Sequence, residues 1–148
     1  MNWLMLILQS LLCGLVTTAP RIDTRMKRDL LNLADMFDDV TGLDPTDYIP
    51  YGNWCGYGGQ GQAVDKIDSC CKVHDLCYGL VSEKDCRNVQ LHIVPYEWRN
   101  ENRTIVCDSN QPACERKACL CDKEVVACIS ENNDVYKNEH RYVRYSER

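Results

Sequence analysis

The chain has 148 residues with 17 Lys and Arg, 22 Asp and Glu, and 11 Cys, for a formal charge of −5. An acidic balance argues against nucleic acid or strongly anionic membranes as electrostatic partners, and it suits a protein that binds a divalent cation. Beyond the first residues no apolar run is long enough to span a bilayer.

The opening stretch MNWLMLILQSLLCGLVTTA has the apolar core and small-residue end of a signal peptide, covering residues 1–18 with cleavage at Thr18 or Ala19. The polar segment after it ends in Lys27-Arg28, a dibasic pair that marks residues 19–28 as a propeptide. A mature chain of residues 29–148 is long enough for one domain with a modest core, and no repeat or linker divides it. Losing the first 28 residues removes four basic side chains and one acid, which leaves 13 against 21 and a charge near −8. Cys13 lies in the signal, so ten cysteines remain, an even set that in a secreted chain reads as five disulfides.

From Asp29, Leu30, Leu33 and Phe37 fall on one side of a helix, with Leu31 and Met36 widening the stripe and Thr41-Gly42 ending it. The segment from Tyr48 to Gln62 then holds five glycines and reads as an irregular loop whose backbone can turn its carbonyls or amides toward an ion. Asp65 to Leu80 carries Ile67, Cys70, Cys71, His74, Cys77 and Tyr78 at helical spacing, and a second helix runs from about Pro112 to Ile129. Between them residues 88–107 form a hairpin whose apolar positions flank the polar Arg99 to Asn102. The tail from Asn132 is polar and is assigned no regular structure. Asn102-Arg103-Thr104 is an N-glycosylation sequon.

Cys70 and Cys77 are seven residues apart, as are Cys121 and Cys128, so each pair lies two turns apart on one helix face, roughly 10 Å along the axis. Antiparallel helices joined through 70 to 128 and 77 to 121 would place His74 midway between the staples and let Asp122 face it. A bridge from 70 to 128 would stabilise by roughly 4 kcal/mol in the chain-entropy account.

The loop Tyr51-Gly52-Asn53-Trp54-Cys55-Gly56-Tyr57-Gly58-Gly59 and the helix Asp68 to Tyr78, with its Cys-Cys-Lys-Val-His-Asp core, resemble the calcium loop and active-site helix of secreted phospholipases A2. Cys119-Leu120-Cys121-Asp122 with Cys128 resembles that family's second catalytic helix. The resemblance implies a mainly α fold: an antiparallel helix pair stapled by disulfides, an N-terminal helix, a glycine-rich calcium loop and a small β-hairpin. It implies pairing of 55 with 71, 70 with 128, 77 with 121, 86 with 114 and 107 with 119.

The same resemblance implies a secreted, extracellular monomer that hydrolyses the sn-2 ester of phospholipids at a membrane or micelle surface. The carbonyls of Trp54, Gly56 and Gly58 and the carboxylate of Asp75 would bind Ca2+, a hard cation that takes oxygen ligands. His74 would be the general base, held by Asp122, which Tyr78 and Tyr96 would hydrogen-bond, and the Gly56 amide would meet the oxyanion. An imidazole titrates near neutrality, so it can be both unprotonated and basic enough to act. Asn53 and Leu76 stand where cysteine is common in the family, and Asp39 and Asn100 likewise lack a frequent bridge. A non-catalytic phospholipase-like ligand or toxin is the alternative function; a G-x-S-x-G elbow, the mark of another lipase class, is absent from the sequence.

Overall fold

The computed structural model describes residues 29–142; the expected signal and propeptide segments and the last six residues lie outside these. Helix α1 spans Asp29–Thr41. Met36 and Phe37 are buried, and Leu33 and Val40 pack against the same core, so the apolar stripe faces inward. The helix stops where Gly42 takes a φ of +69° and its amide donates to the Asp38 carbonyl at 2.8 Å, a left-handed cap that a residue without Cβ adopts at little cost.

Helix α2, Lys66–Asp85, begins at Asp65, whose carboxylate accepts the Asp68 amide at 2.9 Å. It runs five residues beyond the expected end at Leu80. The extension is partly or fully exposed, so it carries no apolar period that would reveal it, and Lys117 reaches across to Asp85 at 2.7 Å. Helix α3, Ala113–Glu131, lies antiparallel to α2, joined by Cys70–Cys128 and Cys77–Cys121 with Cα separations of 5.8 and 5.9 Å. The remaining disulfides are Cys55–Cys71, Cys86–Cys114 and Cys107–Cys119. All five pairs implied by the resemblance are present.

The hairpin is shorter than the sequence suggests. Strands β1, Trp98–Glu101, and β2, Thr104–Cys107, pair antiparallel with Trp98 opposite Cys107 and Glu101 opposite Thr104. The connection is only Asn102 and Arg103, both at positive φ, as a two-residue hairpin turn requires. The polar Arg99 to Glu101 are thus strand rather than loop, which suits a strand with one exposed edge. The apolar run before them does not pair; Leu91–Ile93 forms a single 3-10 turn that buries Leu91, with Val94 buried beside it.

The tail also has more order than its composition suggests. Asn133–Val135 and Asn138–His140 are 3-10 turns, and Arg141 bridges to Tyr51. Tyr136 stacks on Tyr51 and meets Tyr48 edge-on, each with ring centroids 5.4 Å apart. Aromatic contacts and hydrogen bonds, rather than a disulfide, hold this segment to the core.

Met36 is fully buried, whereas Leu76 is 56% exposed. Met36→Ala should therefore cost about 2–5 kcal/mol in chemical denaturation with the disulfides intact, while Leu76→Ala should stay within about 0.5 kcal/mol. Equal losses for both would contradict this placement of the core.

Candidate active site

His74 lies two turns into α2, between the staples at Cys70 and Cys77, and its ring faces α3. His74 Nε2 stands 2.6 Å from Asp122 Oδ1. The same oxygen accepts the Tyr78 hydroxyl at 2.6 Å, and Oδ2 accepts the Tyr96 hydroxyl at 2.5 Å. Asp122 is wholly buried while the His74 side chain keeps 13% exposure. Three donors thus surround one carboxylate, which meets the demand that a buried charge be hydrogen-bonded. The Tyr78 ring packs on the imidazole at 4.1 Å between centroids.

These groups open onto a cleft of about 560 Å³. Its floor holds His74, Asp75 and Tyr78, its apolar wall is built by Leu33, Phe37, Val125 and Ile129, and its rim includes Trp54 to Gly58 and Ile49. His92 lines the same cleft and meets the 87% exposed Tyr57 edge-on, with centroids 6.2 Å apart.

The glycine-rich loop is shaped by Asp68, a residue that periodicity alone presents as an ordinary polar position in the first turn of α2. It is fully buried. Its carboxylate accepts the amides of Trp54 at 2.7 Å, Asn53 at 2.9 Å and Val64 at 2.9 Å, so one side chain gathers both ends of the loop. Gly52 makes this possible: its φ is +55°, and a Cβ there would stand 2.3 Å from the Asp68 carboxyl carbon.

Further along the loop Gly59 has the same relation to Asp75. A Cβ at Gly59 would fall 2.8 Å from Asp75 Oδ2 and 2.5 Å from the Trp54 ring, so the Asp75 carboxylate is seated against the loop rather than turned to solvent. The carbonyls of Tyr51, Asn53, Cys55 and Gly61 accept hydrogen bonds within the protein. Among the described residues no backbone amide outside the helices and strands donates to the carbonyls of Trp54, Gly56 or Gly58. A carboxylate beside alternate backbone carbonyls in a glycine-rich loop is a set of hard oxygen donors, and that chemistry fits Ca2+ better than Zn2+. Among the described residues no group of three His, Cys, Asp or Glu side chains could hold a metal, so a cation here would depend on the backbone.

The positions without the family's cysteines are occupied in two different ways. Asn53 Nδ2 donates to the Gln62 carbonyl at 2.8 Å, tying the loop across its neck, and Asn100 Nδ2 donates to the Asp39 carbonyl at 3.1 Å, so those two positions still meet. Leu76 instead points outward.

A further network, unread in the sequence, joins the tail to the loop. Asp65 Oδ2 accepts the Tyr51 hydroxyl at 2.6 Å and lies 2.8 Å from His140 Nδ1, while the Gly52 amide donates to the His140 carbonyl at 2.8 Å. Burial works to raise the Asp65 pKa, but the Asp68 amide, the Tyr51 hydroxyl and His140 outweigh it and hold the carboxyl below its ordinary value. Burial pushes the Tyr51 hydroxyl up, and Asp65 adds to that. Only the long-range pairing of Asp65 with His140, 75 positions apart, could have signalled this network.

A family model described as Phospholipase A2 matches residues 30–141. Phospholipase A2 SSD387 of Scolopendra dehaani is 44% identical over 120 residues, covering 78% of this chain and 80% of that protein. Group IID secretory phospholipase A2 of Homo sapiens is 38% identical over 134 residues, covering 90% and 89%. The basic phospholipase A2 homolog bothropstoxin-II of Bothrops jararacussu is 40% identical over 118 residues, covering 79% and 80%.

Asp68→Ala would leave three amides without their acceptor, and at about 1–3 kcal/mol for each unsatisfied buried group it should destabilise by about 3 kcal/mol or more in denaturant. A loss below about 1 kcal/mol would mean that the loop holds its shape by other contacts. The lowered Asp65 pKa gives a second expectation. Its contribution to stability is fully present above the unfolded value, about 3.9, and is lost as pH falls through the lower folded value. Asp65→Asn should therefore flatten the acid limb of the stability profile below about pH 4. Superimposable acid limbs for the two proteins would contradict it.

Proposed function

This chain belongs to the phospholipase A2 family, and we propose that it is a secreted, calcium-dependent hydrolase of the sn-2 ester of glycerophospholipids at membrane interfaces, releasing fatty acid and lysophospholipid. The observation that carries this reading is the imidazole of His74 backed at 2.6 Å by buried Asp122, on the floor of an apolar-walled cleft whose rim is the Trp54 to Gly58 loop.

Asp122 faces Nε2, and a carboxylate is an acceptor, so it fixes the ring proton on Nε2 and leaves Nδ1 with its lone pair. Tyr78 and Tyr96 keep the carboxylate from turning away. In our reading Nδ1 takes a proton from a water as that water's oxygen bonds to the ester carbonyl carbon. The bond from that carbon to the sn-2 glycerol oxygen then breaks, and the proton passes from His74 to the departing oxygen. Neither a serine nor a cysteine nucleophile is needed. The Gly56 amide is the protein's own donor to the developing oxyanion, a role worth about 3 to 4 kcal/mol where it has been measured.

Ca2+ held by the carbonyls of Trp54, Gly56 and Gly58 and by the Asp75 carboxylate would supply positive charge for the substrate phosphate and the oxyanion. The apolar wall from Leu33 to Ile129 suits acyl chains, and the exposed Ile49 and Tyr57 on the rim suit contact with a lipid surface. Trp98, at the start of β1, packs against the core instead.

Secretion is supported by five disulfides, which persist in oxidising compartments, and by relatives whose names include the word secretory. We extend the proposal to a signal peptide over 1–18, a propeptide over 19–28, and a single monomeric domain over 29–148. The non-catalytic alternative is disfavoured by the joint presence of His74, Asp75, Asp122 and the loop glycines.

Release of sn-2 fatty acid from mixed-chain phosphatidylcholine vesicles should require calcium and stop in excess chelator. His74→Gln should lose at least about two orders of magnitude in rate, as expected for a general base, yet still bind calcium by titration calorimetry. Asp75→Asn should lose both, with the fold intact by circular dichroism. Undiminished hydrolysis in chelator would overturn the mechanism.

A further inference from the structure

The sequon Asn102-Arg103-Thr104 takes no part in the proposed chemistry, and its placement is specific. Asn102 and Arg103 are the two turn residues of the β1–β2 hairpin, with φ of +53° and +62°, and residues 101–104 are all exposed. The turn is pinned from below, since the Arg103 amide donates to Asn100 Oδ1 at 2.8 Å and Asn100 in turn bonds the Asp39 carbonyl. Among the described residues none hydrogen-bonds the Asn102 amide group.

The demands of the turn account for asparagine at 102, because asparagine tolerates a left-handed backbone. A threonine two residues on suits the start of β2, and its exposed side chain completes an accessible acceptor tripeptide. From these observations we infer that Asn102 carries an N-linked glycan.

In the modification, the Asn102 side-chain nitrogen bonds to the anomeric carbon of an oligosaccharide delivered on a lipid diphosphate. The anomeric C–O bond breaks, the diphosphate leaves with the electron pair, and the amide proton is lost to a base of the transferase. Neither oxidant nor reductant is involved. The acceptor tripeptide is reached in the secretory compartment, where the five disulfides also form.

The location decides what the glycan does. Arg103 and Thr104 line a second cleft, of about 380 Å³, together with Val40, Lys123, Val126 and Ser130. On α3 the catalytic cleft takes Val125 and Ile129, whereas this one takes Lys123, Val126, Ala127 and Ser130, so the two lie on different flanks of the helix. A glycan at the hairpin tip stands beside the small cleft and away from the mouth of the catalytic one. It adds neutral, hydrated bulk there and leaves access to lipid open.

The test is to express the full chain in a eukaryotic secretory host and measure the intact mass of the secreted protein before and after an N-glycosidase. We expect a species heavier than its peptide mass that collapses on treatment, leaving aspartate at 102 in the peptide map. Asn102→Gln and Thr104→Ala should both remove the shift, and Thr104→Ser should keep it. Hydrolysis of phosphatidylcholine vesicles should be the same before and after glycosidase treatment. A wild-type product at its peptide mass overturns the modification, whether it is secreted or retained. A glycan whose removal changes the hydrolytic rate overturns the placement away from the catalytic mouth. Both readouts come from the wild-type protein, so they stand even where one variant fails to fold, and the mass readout does not depend on the chain being active.

Discussion

Helices α2 and α3 are joined at two points, Cys70–Cys128 and Cys77–Cys121, spaced by two turns on each helix. A single bridge would leave one helix free to pivot on the other. Two bridges at matched spacing remove both sliding and rotation, and thereby set the distance between any residue in the stapled stretch of α2 and its opposite on α3. His74 lies inside that stretch, and Asp122 follows one of the bridged cysteines. Their 2.6 Å contact is thus a consequence of backbone crosslinking rather than of a flexible search by two side chains. The wall of the cleft inherits the same rigidity, since Val125 and Ile129 are on α3 too.

The two carboxylates fully withdrawn from solvent among the described residues have parallel duties. Asp122 sits behind the imidazole and Asp68 sits beneath the loop, and each is surrounded by three donors. A buried carboxylate is tolerated only when its oxygens are satisfied, so each forces its neighbours into position as a condition of its own burial. For Asp68 those neighbours are backbone amides, and fixing the amides of Asn53 and Trp54 also fixes the carbonyls of Gly52 and Asn53, which share their peptide planes. The loop therefore owes its shape to a side chain on α2, the helix that also carries His74 and Asp75. Loop and imidazole are built from one rigid element.

How much of this is legible in the sequence depends on whether the signal is local. The helices are visible because Leu33 and Phe37, or Cys70, His74 and Cys77, recur at helical spacing, and the disulfides because the resemblance supplies their pairing. The turn at Asn102-Arg103 escapes a local reading because polar strand residues on an exposed edge look like loop. The end of α2 falls later than the pattern suggests because a solvated last turn has no apolar period. Asp68 is legible only as part of a motif, since burial of a carboxylate depends on a loop that returns to it from upstream. The tail is hidden for the same reason: Tyr136 and His140 acquire their partners, Tyr51 and Asp65, only when distant segments meet.

Cys70 and Cys71 are neighbours in the chain, yet one is bonded to Cys128 on α3 and the other to Cys55 in the loop. In an extended chain the two thiols are almost interchangeable, and an exchanged pairing would close loops of nearly the same length. What separates them is the helix, which turns consecutive side chains about 100° apart so that one faces α3 and the other the loop. The correct pairing is therefore the one that the folded α2 selects, because the helix points the two thiols in different directions. A chain oxidised before this helix forms can still reach the same pairing by thiol–disulfide exchange.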